Sequence, residues 1–299
     1  MRQSPVTRRS FLATGAACAL AGADAIKRVP SVSCHSAFDK VTLGKTGITT
    51  TRLGFGTGVG AWNRTSGLLR KCGADGAAKL IRAAYDRGIR FFDTADAYGT
   101  HSFVRTALKS VPRDSYVIAT KYAWNGGIPA ADRTDVTTSI DRFLKELGTD
   151  YIDIVQIHCI TDAEWPQKLS KHMEGLEAAK RAGKIRAHGC SFHSFGALEA
   201  AANTPWLDVV HARINPFGKS MSTTAERVMP VLKRMHSQGQ GVIGMKILGV
   251  GALAKEPAKM DASIAYALNS GAVDVINIGF LSIEEVDDIV RRIAAVPRS

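Results

Sequence analysis

The amino-acid sequence predicts an α/β fold, a (β/α)8 TIM barrel preceded by a short N-terminal hairpin. From residue 40 onward, short runs rich in β-branched and aromatic residues alternate with longer amphipathic stretches. The alternation recurs about every thirty residues, the length of a βα unit, and the chain has room for eight such units. A doubly wound open sheet is the alternative, but the glycines of segment 54–60 do not match its dinucleotide fingerprint, and no P-loop sequence occurs.

The elements follow in order along residues 40–299, the predicted barrel domain. Residues 41–48 are predicted to form the hairpin around a Gly-containing turn. Strands are predicted at 51–55, 90–94, 116–121, 151–158, 185–191, 209–215, 241–247 and 273–279. Helices are predicted at 75–86, 101–110, 135–147, 167–182, 195–202, 225–238, 260–269 and 283–294. Glycines at 88, 183 and 239 follow three of these helices, as expected of helix ends.

Composition limits the classes of function. The 299 residues are 45% hydrophobic and 22% charged, with a formal net charge of +12. The basic residues are scattered among acidic ones, so the sequence predicts no nucleic-acid partner but favours anionic ligands. No apolar run reaches the roughly 18 residues of a membrane span. The five cysteines include no pair with metal-ligand spacing, and no metal site is predicted.

Residues 1–30 have the pattern of a signal peptide. Arg8 and Arg9 precede an alanine-rich stretch, and small-residue A-x-A sites follow it. The paired arginines resemble a twin-arginine signal. We therefore expect the twin-arginine export machinery to be a partner of the precursor, an exported (periplasmic or extracytoplasmic) location, and a linker over residues 31–39. A chance arginine pair in a disordered N-terminus is the alternative.

Three predicted strands in succession end on an ionisable residue. Asp93, Lys121 and His158 end the second, third and fourth strands, and Tyr98 follows five residues after Asp93. The carboxyl ends of neighbouring barrel strands meet at the active face, so these side chains should converge. Separately, each has an ordinary explanation: a helix cap, a solvated lysine or a buried structural histidine.

Together, the four residues suit proton transfer to a carbonyl oxygen. A free phenol has a pKa near ~10, and an adjacent ammonium should lower the pKa of Tyr98. Asp93 would keep Lys121 charged, and His158 could hydrogen-bond the substrate oxygen. These groups supply no electrons, so a hydride must come from a cofactor.

The segments 43–47, 53–58, 92–99, 120–121 and 157–158 resemble those of the aldo-keto reductases. The resemblance implies an NAD(P)-dependent oxidoreductase that reduces an aldehyde or ketone to an alcohol, or the reverse. Tyr98 would be the general acid or base, Asp93 and Lys121 would tune it, and His158 would orient the carbonyl. A non-catalytic nucleotide-sensing or partner-binding barrel, and a barrel enzyme of another class, are the alternatives.

The resemblance also implies a set of cofactor contacts. They are Gly56, Thr57, Ser191, His211, Asn215, Met245, Lys246, Leu248, Gly279, Ser282 and Glu285. Phe192 takes the place of the family's asparagine, and His193 is a candidate substitute. Ser282 could bind a phosphate or simply cap the last helix, with Glu285 as its capping-box partner. Because acidic residues occupy the place where the family grips the 2′-phosphate, the choice between NADP and NAD stays open.

Two tryptophans are candidate substrate contacts. Trp62 and Trp124 lie in predicted loops on the active face, where they could line the substrate site or serve packing alone. The sequence ends at Ser299, shortly after the last predicted helix, without the longer loop that covers the substrate in many family members. We therefore expect an open site with weak limits on substrate size.

Overall fold

The computed structural model describes residues 33–298, which contain a closed barrel of eight parallel strands. A two-stranded antiparallel hairpin, β1 (Lys40–Thr42) and β2 (Thr49–Thr51), precedes the barrel. The barrel strands are β3 (Leu53–Gly56), β4 (Phe91–Asp93), β5 (Val117–Tyr122), β6 (Ile152–Ile160), β7 (Ile185–Phe192), β8 (Val209–Arg213), β9 (Gly241–Met245) and β10 (Val275–Gly279). They pair in chain order, and β10 pairs with β3 to close the ring. The predicted (β/α)8 fold and its N-terminal hairpin are confirmed.

Helices follow the strands as predicted, with two local differences. They are α1 (Gly67–Asp86), α2 (His101–Leu108), α3 (Val136–Leu147), α4 (Trp165–Lys168), α5 (Ser170–Arg181), α6 (Phe195–Ala201), α7 (Ala225–Ser237), α8 (Pro257–Leu268) and α9 (Ile283–Ala294). Helix α1 begins before the predicted residue 75 because Ser66 caps an extra segment, which a non-helical Gly73 (φ 63°) separates from the rest. The helix predicted at 167–182 is split into α4 and α5 at Leu169.

The hairpin covers the N-terminal end of the barrel. Leu43 and Ile48 are fully buried and belong to the same apolar cluster as the inward-facing side chains of the barrel strands. The backbone N–H of Lys45 also donates to the carbonyl of Gly239, at the end of α7, at 2.8 Å. Burial of each large aliphatic side chain contributes about 1.5–3 kcal/mol, so the turn between β1 and β2 is held firmly.

Inward-facing side chains change from apolar to polar along the strands. The inner core is built from Phe91, Val117, Ala119, Ile154, Ala187, Val209, Ile243 and Val275. Side chains two residues apart on a strand face the same side. The next inward positions are therefore Asp93, Lys121, Gln156, Gly189, His211, Met245 and Asn277, and five of these seven are polar. These lie at the carboxyl ends of the strands, where TIM barrels place their active sites.

The predicted N-terminal segments fall partly outside the described residues. The signal peptide predicted at 1–30, with Arg8 and Arg9, lies wholly outside them, so it stays a prediction. From residue 33 the predicted linker packs on the barrel, where the His35 ring hydrogen-bonds Asn269 at 2.8 Å. Within residues 33–298, no helix combines the length and the apolar character needed to cross a membrane.

Candidate active site

A buried ion pair joins β4 to β5 at the mouth of the barrel. The Nζ of Lys121 donates to Asp93 and, at 2.9 Å, to the carbonyl of Thr94. Asp93 is 4% exposed and Lys121 1% exposed, so each charge depends on the other for solvation. The amide Nδ2 of Asn277 donates to the second oxygen of Asp93 at 2.9 Å. These contacts fix the carboxylate and leave the pair close to electrical neutrality.

Tyr98 stands beside this pair on a short 3-10 turn, Asp96–Tyr98. The Nζ of Lys121 lies 5.0 Å from the centroid of the Tyr98 ring, and the His158 ring meets it edge-on at 5.5 Å. Burial, and then the charge of Asp93, raise the pKa of Tyr98 well above its usual value. The sequence predicted the opposite direction, because the burial of the phenol is not visible in the sequence. The phenol therefore keeps its proton at neutral pH.

Two neutral imidazoles complete the polar ring. Burial, followed by the charge of Lys121, lowers the pKa of His158 well below its usual value. The same causes lower the pKa of His211. Its Nδ1 lies 2.6 Å from the side-chain oxygen of Gln156, a contact in which the ring must donate. Trp124 Nε1 donates to the carbonyl of His158 at 3.0 Å and holds the end of β6.

Asp96 plays a structural part next to this site. Its carboxylate receives two hydrogen bonds from the Arg142 guanidinium, at 3.0 and 2.6 Å, and Arg64 approaches it at 3.5 Å. This bidentate pair anchors the 3-10 turn that carries Tyr98 to helix α3.

A cavity of about 480 Å³ runs from the ion pair to the start of α9. Ten predicted site residues line it: Asp93, Tyr98, Lys121, Gly56, His211, Met245, Lys246, Leu248, Gly279 and Glu285. The volume lies within the range of small-molecule sites. Ile247 and Phe280 add apolar wall, and the buried Oδ1 of Asn277 has no hydrogen-bond partner. An apolar trough with an unused acceptor next to a proton-transfer group fits a nicotinamide dinucleotide.

Four other predicted cofactor residues lie outside this lining and have local partners. The hydroxyl of Thr57 donates to the carbonyl of Asp93 at 2.9 Å. Ser191 Oγ accepts the backbone N–H of Cys159 at 3.0 Å. The Asn215 side chain bridges the loops after β8 and β9 through the carbonyls of residues 219 and 246. Ser282 caps α9 by accepting from the backbone of Glu285. Their roles toward a cofactor stay predictions.

The last helix begins with a reciprocal cap. While Ser282 accepts from the backbone of Glu285, the Glu285 carboxylate accepts from the backbone N–H of Leu281 at 2.7 Å. This arrangement resembles the capping-box alternative given for Ser282. The Glu285 side chain nevertheless borders the cavity, together with Asp288, so negative charge stands at this end of the site.

The two tryptophans occupy different surroundings. Trp62 is 61% exposed and lies beside the glycines at 126 and 127, in the loop that follows β5. Trp124 is half-buried, and its ring packs 6.2 Å from that of His172. Neither lines the cavity described above, so their contact with substrate stays a prediction.

His158, Cys159 and His193 form a compact group next to the cavity. Their candidate ligand atoms all lie within 4.8 Å of one another. An Arg213 nitrogen, which can only donate, stands 2.6 Å from His193 Nδ1. The hydrogen of the neutral His193 ring must therefore be on Nε2, which faces Cys159 Sγ at 3.6 Å. Because that nitrogen is occupied and cations surround the group, it is poorly suited to a metal ion.

Comparison with known proteins agrees with the geometry. The Aldo/keto reductase family model matches residues 52–263, a span that holds Asp93, Tyr98, Lys121 and His158. The chain belongs to the aldo-keto reductase family. The predicted resemblance is thus confirmed.

Named relatives of this aldo-keto reductase are oxidoreductases. Aldo-keto reductase YhdN of Bacillus subtilis is 33% identical over 203 residues, which are 64% of this chain and 57% of YhdN. L-galactose dehydrogenase of Arabidopsis thaliana is 30% identical over 224 residues, which are 72% of this chain and 66% of that protein. The chain therefore spans less than two thirds of the length of either relative.

Solved structures of the family share the fold. An aldo-keto reductase structure from Pseudomonas aeruginosa superposes with a TM-score of 0.69 at 25% identity, covering 87% of this chain and 96% of that one. The holo form of an aldo-keto reductase from Bacillus halodurans gives a TM-score of 0.69 at 19% identity, covering 88% and 93%. At that lower identity, the likeness concerns the fold alone.

The site of this aldo-keto reductase includes three residues that the sequence prediction missed. Gln156 and Asn277 are single amides inside buried strands, and Arg213 is a single cation at the end of another. A polar residue within a buried run was the signal that identified Lys121 and His158. The same signal could have identified all three.

Proposed function

We propose that this protein is an NAD(P)-dependent oxidoreductase that interconverts an aldehyde or ketone and the corresponding alcohol, with Tyr98 as general acid or base. The supporting observation is the position of a protonated phenol between a buried Asp93–Lys121 pair and a neutral His158. Asp93, Lys121 and Tyr98 line a cavity whose walls fit a dinucleotide.

In the reduction, Tyr98 donates its proton to the carbonyl oxygen as negative charge develops there. The neutral His158 donates an N–H hydrogen bond to the same oxygen and sets its direction. Lys121 stabilises the phenolate that remains, and Asp93 keeps Lys121 charged and in place. A bound nicotinamide would supply the hydride to the carbonyl carbon. Solvent then returns a proton to Tyr98, and the oxidation follows the reverse order.

The cavity described above would hold the cofactor. Met245 and His211 line the cavity together with Asp93, Tyr98 and Lys121, and the backbone around Gly279 leads toward the start of α9. Glu285 and Asp288 at that end would oppose a 2′-phosphate, so we propose that NAD is preferred over NADP. One relative, the NADH-specific methylglyoxal reductase of Escherichia coli, is 30% identical over 207 residues, 61% of this chain and 60% of that one.

Tyr98→Phe tests the proposed function. Cofactor oxidation at 340 nm would be followed with NADH and NADPH over a panel of aldehydes and ketones. We expect the variant to lose about 10²–10⁴ in kcat and to keep its cofactor affinity, because only the proton donor is removed. Tyr116→Phe is the matched control, since its ring packs on Phe92 outside the inner barrel. Equal turnover by Tyr98→Phe and wild type would contradict the assignment, and cofactor binding without turnover would favour a nucleotide-sensing barrel.

We also propose that the protein is exported through the twin-arginine route. The support is the Arg8-Arg9 pair ahead of an alanine-rich stretch. Arg8→Lys with Arg9→Lys should retain the precursor in the cytoplasm, which cell fractionation would detect. An unchanged distribution would contradict the proposal.

A further inference from the structure

Two cations at the barrel mouth have no carboxylate partner. Arg213 ends β8 and Lys246 follows β9 in a left-handed backbone conformation (φ 60°). Within residues 33–298, neither has a carboxylate oxygen within 4.0 Å. Arg213 contacts the neutral ring of His193, while its own Nε is buried and without a hydrogen-bond partner.

Two buried carboxylates elsewhere in the barrel are paired with arginines. Asp153 is bound by Arg113 and Arg186, both at 2.7 Å. Asp96 is held by Arg142 in the same way. Burying a charge without a partner is costly, and proteins normally avoid it. Arg213 and Lys246 lie at the mouth, where an anionic ligand could supply the missing partner.

The groups around Arg213 and Lys246 do not neutralise the positive charge at the barrel mouth. Its carboxylate, Asp93, is already engaged by Lys121 and Asn277. Burial, then the charges of Arg213 and Lys246, lower the pKa of His193 to about 3, so this ring adds no charge. Burial also lowers the pKa of Lys246. An anion placed here would relieve the repulsion among the cations.

Arg213 is separate from the dinucleotide cavity. Lys246 lines that cavity, whereas Arg213 and His193 do not. The His193 ring lies 6.2 Å from that of His158 and joins it to Arg213. If a substrate places an anionic group at Arg213, only the His193 ring would separate that group from His158, which orients the carbonyl.

We propose that the substrate is a carbonyl compound carrying an anionic group, a carboxylate or a phosphate, which Arg213 binds with assistance from Lys246. This inference rests on the proposed function and names the substrate class for it. The Arg213 fork supplies paired N–H donors suited to either anion. Its charge attracts the substrate, while Tyr98 and His158 act on a carbonyl a few bonds away.

The kinetic test compares charged and neutral carbonyls. Succinic semialdehyde would be set against its methyl ester, and glyceraldehyde 3-phosphate against glyceraldehyde. We expect kcat/KM to be about tenfold or more higher for one charged member of these pairs, and to fall with added salt. The pair with the larger ratio identifies carboxylate or phosphate. Equal values within both pairs would overturn the proposal.

Arg213→Gln locates the effect, because glutamine can still donate to His193. The variant should raise KM for the charged member of each pair much more than for the neutral member, so that the charged-substrate advantage is lost. Arg213→Lys should restore part of the advantage. Arg234→Gln, which removes an exposed cation on α7, is the control. An equal loss on charged and neutral substrates would assign Arg213 a structural role and contradict the inference.

A binding measurement separates this inference from the proposed function. Succinate and inorganic phosphate have no carbonyl to reduce, so either can be titrated calorimetrically into the full-length protein. Saturable binding that Arg213→Gln abolishes supports the anion site even if no carbonyl is turned over. Absence of binding to the wild type, together with equal charged and neutral kinetics, would overturn it.

Discussion

Gly58 lies against the ring of Tyr98. A Cβ on Gly58 would stand 2.4 Å from both Cε2 and Cζ of that ring, well inside contact distance. The glycine is therefore required for the phenol to occupy its place beside Lys121. The run of glycines after β3 has a steric purpose here, although it does not form a dinucleotide fingerprint.

Gly58→Ala should consequently displace Tyr98 and impair turnover. We expect kcat to fall about 10–100-fold, because a misplaced acid loses much of its contribution to proton transfer. Gly126→Ala is the control, since its new Cβ would meet Trp62 at an ordinary 3.4 Å. Steady-state kinetics and thermal unfolding would be measured together. A Gly58→Ala enzyme with wild-type kcat would show that the ring accommodates the methyl group without consequence.

The Asp93–Lys121 pair should contribute measurably to the free energy of unfolding. Asp93→Asn leaves Lys121 buried without a counter-charge, and we expect a loss of about 3–5 kcal/mol in the free energy of unfolding. Adding Lys121→Met should recover most of that stability without restoring activity. Urea unfolding of the two single variants and the double variant provides the comparison. Additive losses in the double variant would contradict the interpretation of a coupled pair.

The pH dependence follows from two shifted groups. Because the pKa of Tyr98 is raised, the phenol stays protonated through neutral and mildly alkaline pH. The reduction rate should therefore be flat from pH 6 to pH 9, while the alcohol oxidation should keep rising toward pH 10. Because the pKa of His158 is lowered, no change in its protonation is expected between pH 8 and pH 6. An inflection of kcat near pH 6.5 would contradict the neutral His158.

Cofactor choice should respond to Glu285. Glu285→Gln removes a charge at the end of the cavity and keeps an acceptor for the backbone of Leu281. We expect NADPH to bind about fivefold more tightly and NADH to change little, because only NADPH carries the 2′-phosphate. Glu284→Gln, at an exposed neighbour outside the cavity, should alter neither affinity. Calorimetric titration of each cofactor decides the matter.

Most of the fold and part of the candidate site could be predicted from the sequence. Asp93, Lys121 and His158 lie near the carboxyl ends of three successive apolar strands, so the strand pattern and the barrel fold together place them at one face. The Asn277–Asp93 hydrogen bond joins residues 184 positions apart, and no local pattern predicts it. The direction of the pKa shift of Tyr98 depends on how deeply the phenol is buried. The lack of a carboxylate partner for Arg213 depends on which side chains the fold brings near it. Such properties belong to the assembled structure.

The hairpin that covers the bottom of the barrel has a kinetic consequence. With Leu43 and Ile48 packed into that end, cofactor and substrate must share the opposite opening. The cavity proposed to hold the dinucleotide extends inward to Asp93, so a substrate bound over Tyr98 would stand between part of the cofactor and solvent. The order of events should then be compulsory: the dinucleotide enters first and leaves last. Product inhibition would test this order. The oxidised cofactor should inhibit competitively against the reduced cofactor but not against the carbonyl substrate.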